Sequence, residues 1–264
     1  MKISKVFFII LSLLTFVACA QNNGNINVNV IAHAGGVVNG VAMTNSREAL
    51  FSARDKGFKF IELDLLFTAD SMLVAYHSWD EYNVAIGKQE NSSVAPTLKD
   101  FLSRQLPGGF TPLTADDIND FFISHDSIFF VTDKISDAKI LNKFFPRLKN
   151  RMVVEAFNYK DYSDLLKENY AYVTYSCMAN DVYVAPIKHL LFHWIFPGKK
   201  IECVALHTSA FDYNYLKILR AVTDFKISLF TVNRLKEIPR EYIKDICFLY
   251  TDSLLPSDVN DLKK

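Results

Sequence analysis

The sequence predicts an α/β fold, a closed (β/α)8 barrel built as a single domain, and three observations predict it. Eight apolar runs of strand length recur along the 264 residues. Stretches of helical period separate several of them, and polar residues able to do chemistry collect at the C-terminal ends of the runs. An open, doubly wound sheet is the alternative arrangement of the same alternation. Hydrophobic residues make up 50% of the chain and 29 basic side chains balance 29 acidic ones, which allows a large core and leaves no basic excess for nucleic acid.

The leader comes first. Lys2 and Lys5 precede an apolar stretch from Val6 to Val17, shorter than the roughly 20 residues that span a bilayer, so residues 1–21 read as an export signal entering a linker. Ala18, Cys19 and Ala20 offer a small-x-small cleavage site. Phe16, Val17, Ala18 and Cys19 offer a lipobox in which Cys19 would carry a lipid, and the polar run Gln21 to Asn27 suits a tether, so the lipobox is favoured. The expected protein is exported, periplasmic or on an outer surface, and touches a membrane only through that lipid.

The barrel is expected over residues 28–260. Val28 to His33 is its first strand, and a helix from Ser46 to Lys56 follows with Asn45 or Ser46 as N-cap. Phe58 to Phe67 is the second strand and Leu73 to His77 an added piece. Residues 83–126 break the rhythm: the segment is polar, holds Pro96, Pro107, Gly108, Gly109 and Pro112, and is expected to lie over the barrel mouth with a short helix at Leu98 to Arg104. The remaining strands are Ile128 to Thr132, Met152 to Phe157, Tyr172 to Cys177, Cys203 to His207, Lys226 to Val232 and Ile246 to Thr251. Helices are expected at Ala138 to Leu148, Tyr159 to Glu168 and Asn214 to Thr223. Cys177, Cys203 and Cys247 each fall in a strand-like run; three is odd, so buried free thiols are expected.

The chemistry centres on Glu62 and Asp64. Two apart in a strand, they leave one face together. Such a pair alone is more often a solvated edge, but Ile61, Leu63, Leu65, Leu66 and Phe67 make this strand buried on both sides. Paired buried carboxylates call for a hard cation, and His33 and His77, each closing an apolar run, supply acid/base groups. Asp133, Lys134, Glu155, Asn233 and Asp252 fall at other strand ends. Lys134, Glu155, His207 and Asn233 are read as substrate-binding.

A set of motifs then resembles the glycerophosphodiester phosphodiesterases. It comprises Ile31 to Gly36, Thr44 to Ser46 opening a helix, Gly57 to Asp64 with Thr68 to Asp70, Leu73 to His77, Thr231 to Asn233 and Thr251 to Ser253. The resemblance spans about residues 31–255. It implies a TIM barrel of the phospholipase C-like phosphodiesterase type that hydrolyses a small or lipid-derived phosphodiester with one divalent ion, Mg2+ or Ca2+. On it, Glu62 and Asp64 are metal ligands, His33 and His77 the acid/base pair, and Asp133 the third ligand, with Glu155 as substitute. Ala34, Thr44 and Ser78 depart from the family's usual Arg, Glu and Asp. Asp133 adjoins Lys134, so strand alternation lets both point inward only if the strand bulges or ends there. Three other readings stay open: a silent barrel binding a phosphorylated glycan or lipid, a metal-independent enzyme like the phosphatidylinositol-specific phospholipases C, and a sugar hydrolase. His189 and His193, four apart, and the apolar stretch Phe192 to Phe196 are weaker signals; His125 is read as structural.

Overall fold

The computed structural model describes residues 28–88, 93–170, 172–176, 203–208, 226–238 and 240–259. The expected leader, the helix at Asn214 to Thr223, Cys177, His189, His193 and the stretch Phe192 to Phe196 lie outside them.

Eight parallel strands form the sheet: β1 (Asn29–Ala32), β2 (Phe60–Phe67), β5 (Phe129–Asp133), β6 (Met152–Ala156), β7 (Tyr172–Ser176), β8 (Cys203–His207), β9 (Lys226–Phe230) and β10 (Ile246–Thr251). Because β1 pairs with both β10 and β2, the sheet has no free edge and closes, which decides for the barrel over the open sheet. Two short antiparallel strands, β3 (Leu73–Ala75) and β4 (Leu113–Thr114), extend from the C-terminal half of β2.

Strand alternation sorts the side chains into an outer and an inner set. Ile61, Leu63, Leu65, Phe130 and Val154 join the main core beneath the helices. Ile31, Phe60, Val131, Val153 and Phe248 form the second, inner set. Low in the barrel, Phe60 stacks on Phe129 at 5.0 Å and meets Phe248 edge-on at 5.3 Å, giving an apolar floor. Alternation above that floor puts Glu62 and Asp64 over Phe60, Asp133 over Val131 and Glu155 over Val153.

Three described helices have clear sequence causes. In α1 (Arg47–Asp55) the Ser46 hydroxyl accepts from the Ala49 N–H at 3.1 Å, and Ala49, Leu50 and Ala53 face inward. In α5 (Ala138–Phe144) Asp137 caps two amides; in α6 (Tyr159–Lys167) Asn158 caps Asp161.

The segment 83–126, expected to be polar with one short helix at Leu98 to Arg104, carries more regular structure than that. The segment holds the end of α2 (Trp79–Ala85), α3 (Leu98–Leu102), β4 and α4 (Ala115–Ser124). A capping box between Thr114 and Asp117 opens α4, and Ile118, Phe121 and Phe122 give it a buried stripe at helical spacing. Around them Tyr76, Tyr82, Phe101, Leu106 and Phe110 form a separate apolar cluster.

The expected free thiols are also corrected. Cys203 and Cys247 are joined in a disulfide with Cα atoms 7.0 Å apart. Closure of the barrel sets β8 and β10 on either side of β9, and an odd cysteine count excludes a complete pairing, not a single pair.

Candidate active site

The site lies at the C-terminal ends of the strands, where a cavity of about 400 Å3 is lined by His33, Glu62, Asp133, Lys134 and Glu155, with Phe157, Ser176, Phe230 and Tyr250. Parallel register sets its acids on two adjacent levels: Asp64 pairs with Asp133, while Glu62, one rung lower on the inner face, pairs with Val131. One oxygen each from Glu62, Asp64 and Asp133 fall within 4.8 Å of one another.

Each acid is held by a neighbour with unusual backbone. The Ala34 N–H donates to Glu62 Oε2 at 2.7 Å, and Ala34 sits at φ 46° in a turn that carries His33. Asn45, at φ 49°, donates from Nδ2 to Asp64 Oδ2 and accepts the Asp64 N–H on Oδ1, both at 2.9 Å. Lys134, at φ 70°, brings Nζ to 3.3 Å from Asp64 and 3.4 Å from Asp133. The strand ends at Asp133 and the left-handed Lys134 turns the chain back, so both neighbours face the same cavity despite strand alternation. Three strained residues around one acid cluster mark a site rather than a structural brace.

The electrostatics follow from burial. Glu62 is 1% exposed; burial, then the charges of Asp64 and Asp133, push its carboxyl well above the usual range. Among the described residues, its buried Oε1 has no hydrogen-bond partner. Burial also raises Asp133, against the pull of Lys134. Burial works against the Lys134 charge as well, but Asp133 and Asp64 outweigh it and hold the ammonium above its usual range. Three carboxylates around one ammonium, with an orphan oxygen among them, fit a hard divalent cation with oxygen ligands.

His33 is held from the far end of the chain. Its Nδ1 lies 2.9 Å from Asp252 Oδ1, and the Asn233 Nδ2 donates to Asp252 Oδ2 at 2.8 Å. Burial would raise Asp252, but these two hydrogen bonds outweigh it and hold its carboxyl below the usual range. With Asp252 ionised, Nδ1 carries the proton and Nε2 is the free acceptor. Asn233 Oδ1 is itself occupied by Thr251 Oγ1 and the Asp252 N–H, so Asn233 positions Asp252, and both its amide atoms are engaged inside that turn.

His77 follows β3, next to Tyr76, whose N–H donates to the Asp64 carbonyl at 3.0 Å. It is not among the residues lining the cavity, and its Nδ1 is 2.8 Å from Glu81 Oε1. Ser78 caps α2 through the Glu81 N–H and thereby places Glu81 beside His77. Both histidines thus hold a carboxylate on Nδ1. His207 is exposed and meets Phe230, a lining residue, edge-on at 5.4 Å.

On the opposite wall, Glu155 is buried, and burial, then Asp133, push its carboxyl up to about 8. It accepts from Tyr250 Oη at 3.2 Å and from the Ser176 hydroxyl. Tyr250 reaches Glu155 across the barrel from β10, so it underlies the cavity. Sequence reasoning missed Asn45, Ser176 and Tyr250 here; the one local signal was Asn45 beside a second capable cap, Ser46, which frees Asn45 for another task.

No family model matches the chain, and no curated protein matches it. Solved structures do. A glycerophosphodiester phosphodiesterase from Parabacteroides distasonis superposes with a TM-score of 0.65 at 19% identity, over 91% of this chain and 98% of that one. One from Thermotoga maritima gives 0.64 at 16% identity, over 86% and 95%. An Oleispira antarctica phosphodiesterase in complex with sn-glycerol 3-phosphate gives 0.61 at 18%, over 89% and 96%. The chain has their fold. The barrel closure and the site at its C-terminal face agree with that likeness in architecture, and what the site does has to be argued from its own residues.

Proposed function

We propose that the protein belongs with the glycerophosphodiester phosphodiesterases and hydrolyses a small phosphodiester to an alcohol and a phosphomonoester. The observation that carries the reading is the convergence, at one cavity, of the buried Glu62 and Asp64 and the half-buried Asp133 with Lys134 and a carboxylate-oriented histidine. The product bound in the Oleispira antarctica structure supports a substrate of that size. A cavity of about 400 Å3, near the lower end of the roughly 300–1,000 Å3 of ligand pockets, suits such a substrate.

Glu62, Asp64 and Asp133 would hold one Mg2+ or Ca2+, which when bound polarises the phosphoryl group and neutralises charge developing on its oxygens. Lys134 supplies a second positive charge beside the same acids. His33 Nε2, with the Asp252 hydrogen bond at Nδ1, takes a proton from the attacking substrate hydroxyl or returns one to the leaving alkoxide, and water then opens the resulting cyclic phosphodiester to the phosphomonoester. His77, likewise bonded at Nδ1, is the proposed partner for the opposite transfer. The Ala34 N–H and Asn45 hold Glu62 and Asp64 in place, and Phe157, Phe230 and Tyr250 exclude water from the organic part of the substrate. Export with a lipid on Cys19 is proposed as well; the Cys203–Cys247 disulfide suits an oxidising compartment.

A metal-independent phosphodiesterase is the second reading, favoured by one observation: Lys134 Nζ already lies between Asp64 and Asp133. Incubation with glycerophosphodiesters, followed by phosphorus NMR, tests the main reading. A phosphomonoester is expected from the wild type and almost none from His33→Ala. Absence of product from every diester would overturn it.

A further inference from the structure

We infer that Glu155 and Ser176 read a hydroxyl on the alcohol moiety of the bound phosphodiester, which makes Glu155 a specificity-determining residue of this cavity. The inference rests on the cavity taking a phosphodiester, as proposed above, and adds which wall selects the alcohol.

Position argues first. Glu155 lines the cavity but stands outside the group of acids able to share one ion. Thr132 on β5 pairs with Val154 on β6, so Glu155 is the next residue along and lies one strand beyond Asp133, on the side away from Glu62 and Asp64. A phosphoryl group at Lys134 and the acid cluster therefore points its alcohol toward β6 and β7.

Chemistry argues second. Lys134 is paired with Asp64 and Asp133, so the partners the structure gives Glu155 are two hydroxyls, from Tyr250 and Ser176. As a carboxylate Glu155 has about four acceptor sites, of which these use two; as a carboxylic acid it keeps acceptor capacity and gains one O–H to donate. A buried carboxyl facing a cavity is stabilised by a further neutral hydrogen-bonding group, and a substrate hydroxyl is the simplest one. Tyr250, fixed across the barrel, positions Glu155 and has no free proton for the ligand.

Shape argues third. Ser176 pairs with Ala205, two small residues that leave room beside Glu155, while Phe157 and Phe230 flank it with apolar surface. That combination suits a compact hydroxylated group.

The test is calorimetric binding of sn-glycerol 3-phosphate and of ethyl phosphate, which lacks the hydroxyls, to wild type, Glu155→Leu, Glu155→Gln and Ser176→Ala. A site built to bond a hydroxyl rejects the analogue without it, so the wild type should prefer glycerol 3-phosphate by about tenfold or more. Glu155→Leu should abolish the preference and Glu155→Gln, which keeps a donor and an acceptor, should retain most of it. Ser176→Ala should weaken it by about threefold, and decides the matter if Glu155→Leu does not fold. An unchanged preference in Glu155→Leu or Ser176→Ala, no preference in the wild type, or no binding of either ligand overturns the inference. So does a loss of Mg2+ or Ca2+ affinity in Glu155→Leu as large as in Glu62→Gln, which would make Glu155 an ion ligand. Phosphodiester turnover is measured alongside. Turnover without the Glu155-dependent preference sinks this inference alone, and the preference without turnover sinks only the catalytic reading.

Discussion

Asp252→Asn is the substitution whose consequence the structure defines most sharply. The side chain keeps its shape, but one oxygen becomes an NH2 group. Asn233 cannot rotate to accommodate it, because its Oδ1 holds the Thr251 hydroxyl and the Asp252 N–H and its Nδ2 must donate. The introduced amide must therefore turn its oxygen to Asn233 and its NH2 to His33. Nδ1 of His33 then has to accept, the ring proton moves to Nε2, and the nitrogen facing the cavity loses its basic lone pair. Loss of the charge-assisted hydrogen bond, 2.9 Å long in the wild type, costs about 1.5–3 kcal/mol, a factor of roughly 10–150 in rate. The wrong tautomer adds to this, so kcat/KM should fall by about 10²–10⁴. The assay is hydrolysis of bis(p-nitrophenyl) phosphate across neutral pH, with melting temperature as the control for folding. A folded variant within about threefold of wild type, with the same pH profile, refutes the assignment of His33 as an Asp252-oriented acid/base group.

Three further outcomes follow from named contacts. Glu155 is raised from 4.5 to about 8, so the folded state binds an extra proton between those values. Its stabilising share is complete below the unfolded value and is lost as pH rises through the folded one. In chelator, melting temperature should therefore decline toward pH 8, at up to about 1.4 kcal/mol per pH unit, and Glu155→Gln should flatten the slope; an equal slope in both contradicts the burial account. Reduction of the Cys203–Cys247 disulfide, which spans 44 residues, should remove about 4 kcal/mol and lower the melting temperature by about 10 °C, and a melting temperature indifferent to reductant would show the bridge to be absent in solution. Gly35 sits at φ 80°, and a Cβ there would lie 2.5 Å from the Ala49 Cβ, so Gly35→Ala should cost about 2–4 kcal/mol, read by urea unfolding, and displace the Ala34 amide from Glu62.

Much of the architecture was legible because it is written in short-range pattern. Apolar runs of strand length marked all eight barrel strands to within two residues at either end, and the Glu62-x-Asp64 spacing placed two acids inside the barrel by alternation alone. The 83–126 segment misled because its Pro and Gly content hid the three-and-four spacing of Ile118, Phe121 and Phe122, which makes α4. What stayed illegible depends on closure of the ring. His33 and Asp252 are 219 residues apart, Tyr250 and Glu155 are 95 apart, and Cys203 meets Cys247 only across β9. The Lys134 turn was foreseeable as a condition, since Asp133 and Lys134 can face one cavity only if the strand stops. That it stops there was set by backbone conformation, which the residue types do not announce.

The most direct measurement is hydrolysis of a glycerophosphodiester by protein stripped with chelator and then reloaded with Mg2+ or Ca2+, in wild type and Glu62→Gln. The account predicts that stripping abolishes turnover, that one equivalent of ion restores it, and that Glu62→Gln, which removes a charge from the acid cluster, needs far more ion for far less product. Full turnover by the stripped wild type, or wild-type ion dependence in Glu62→Gln, would contradict it.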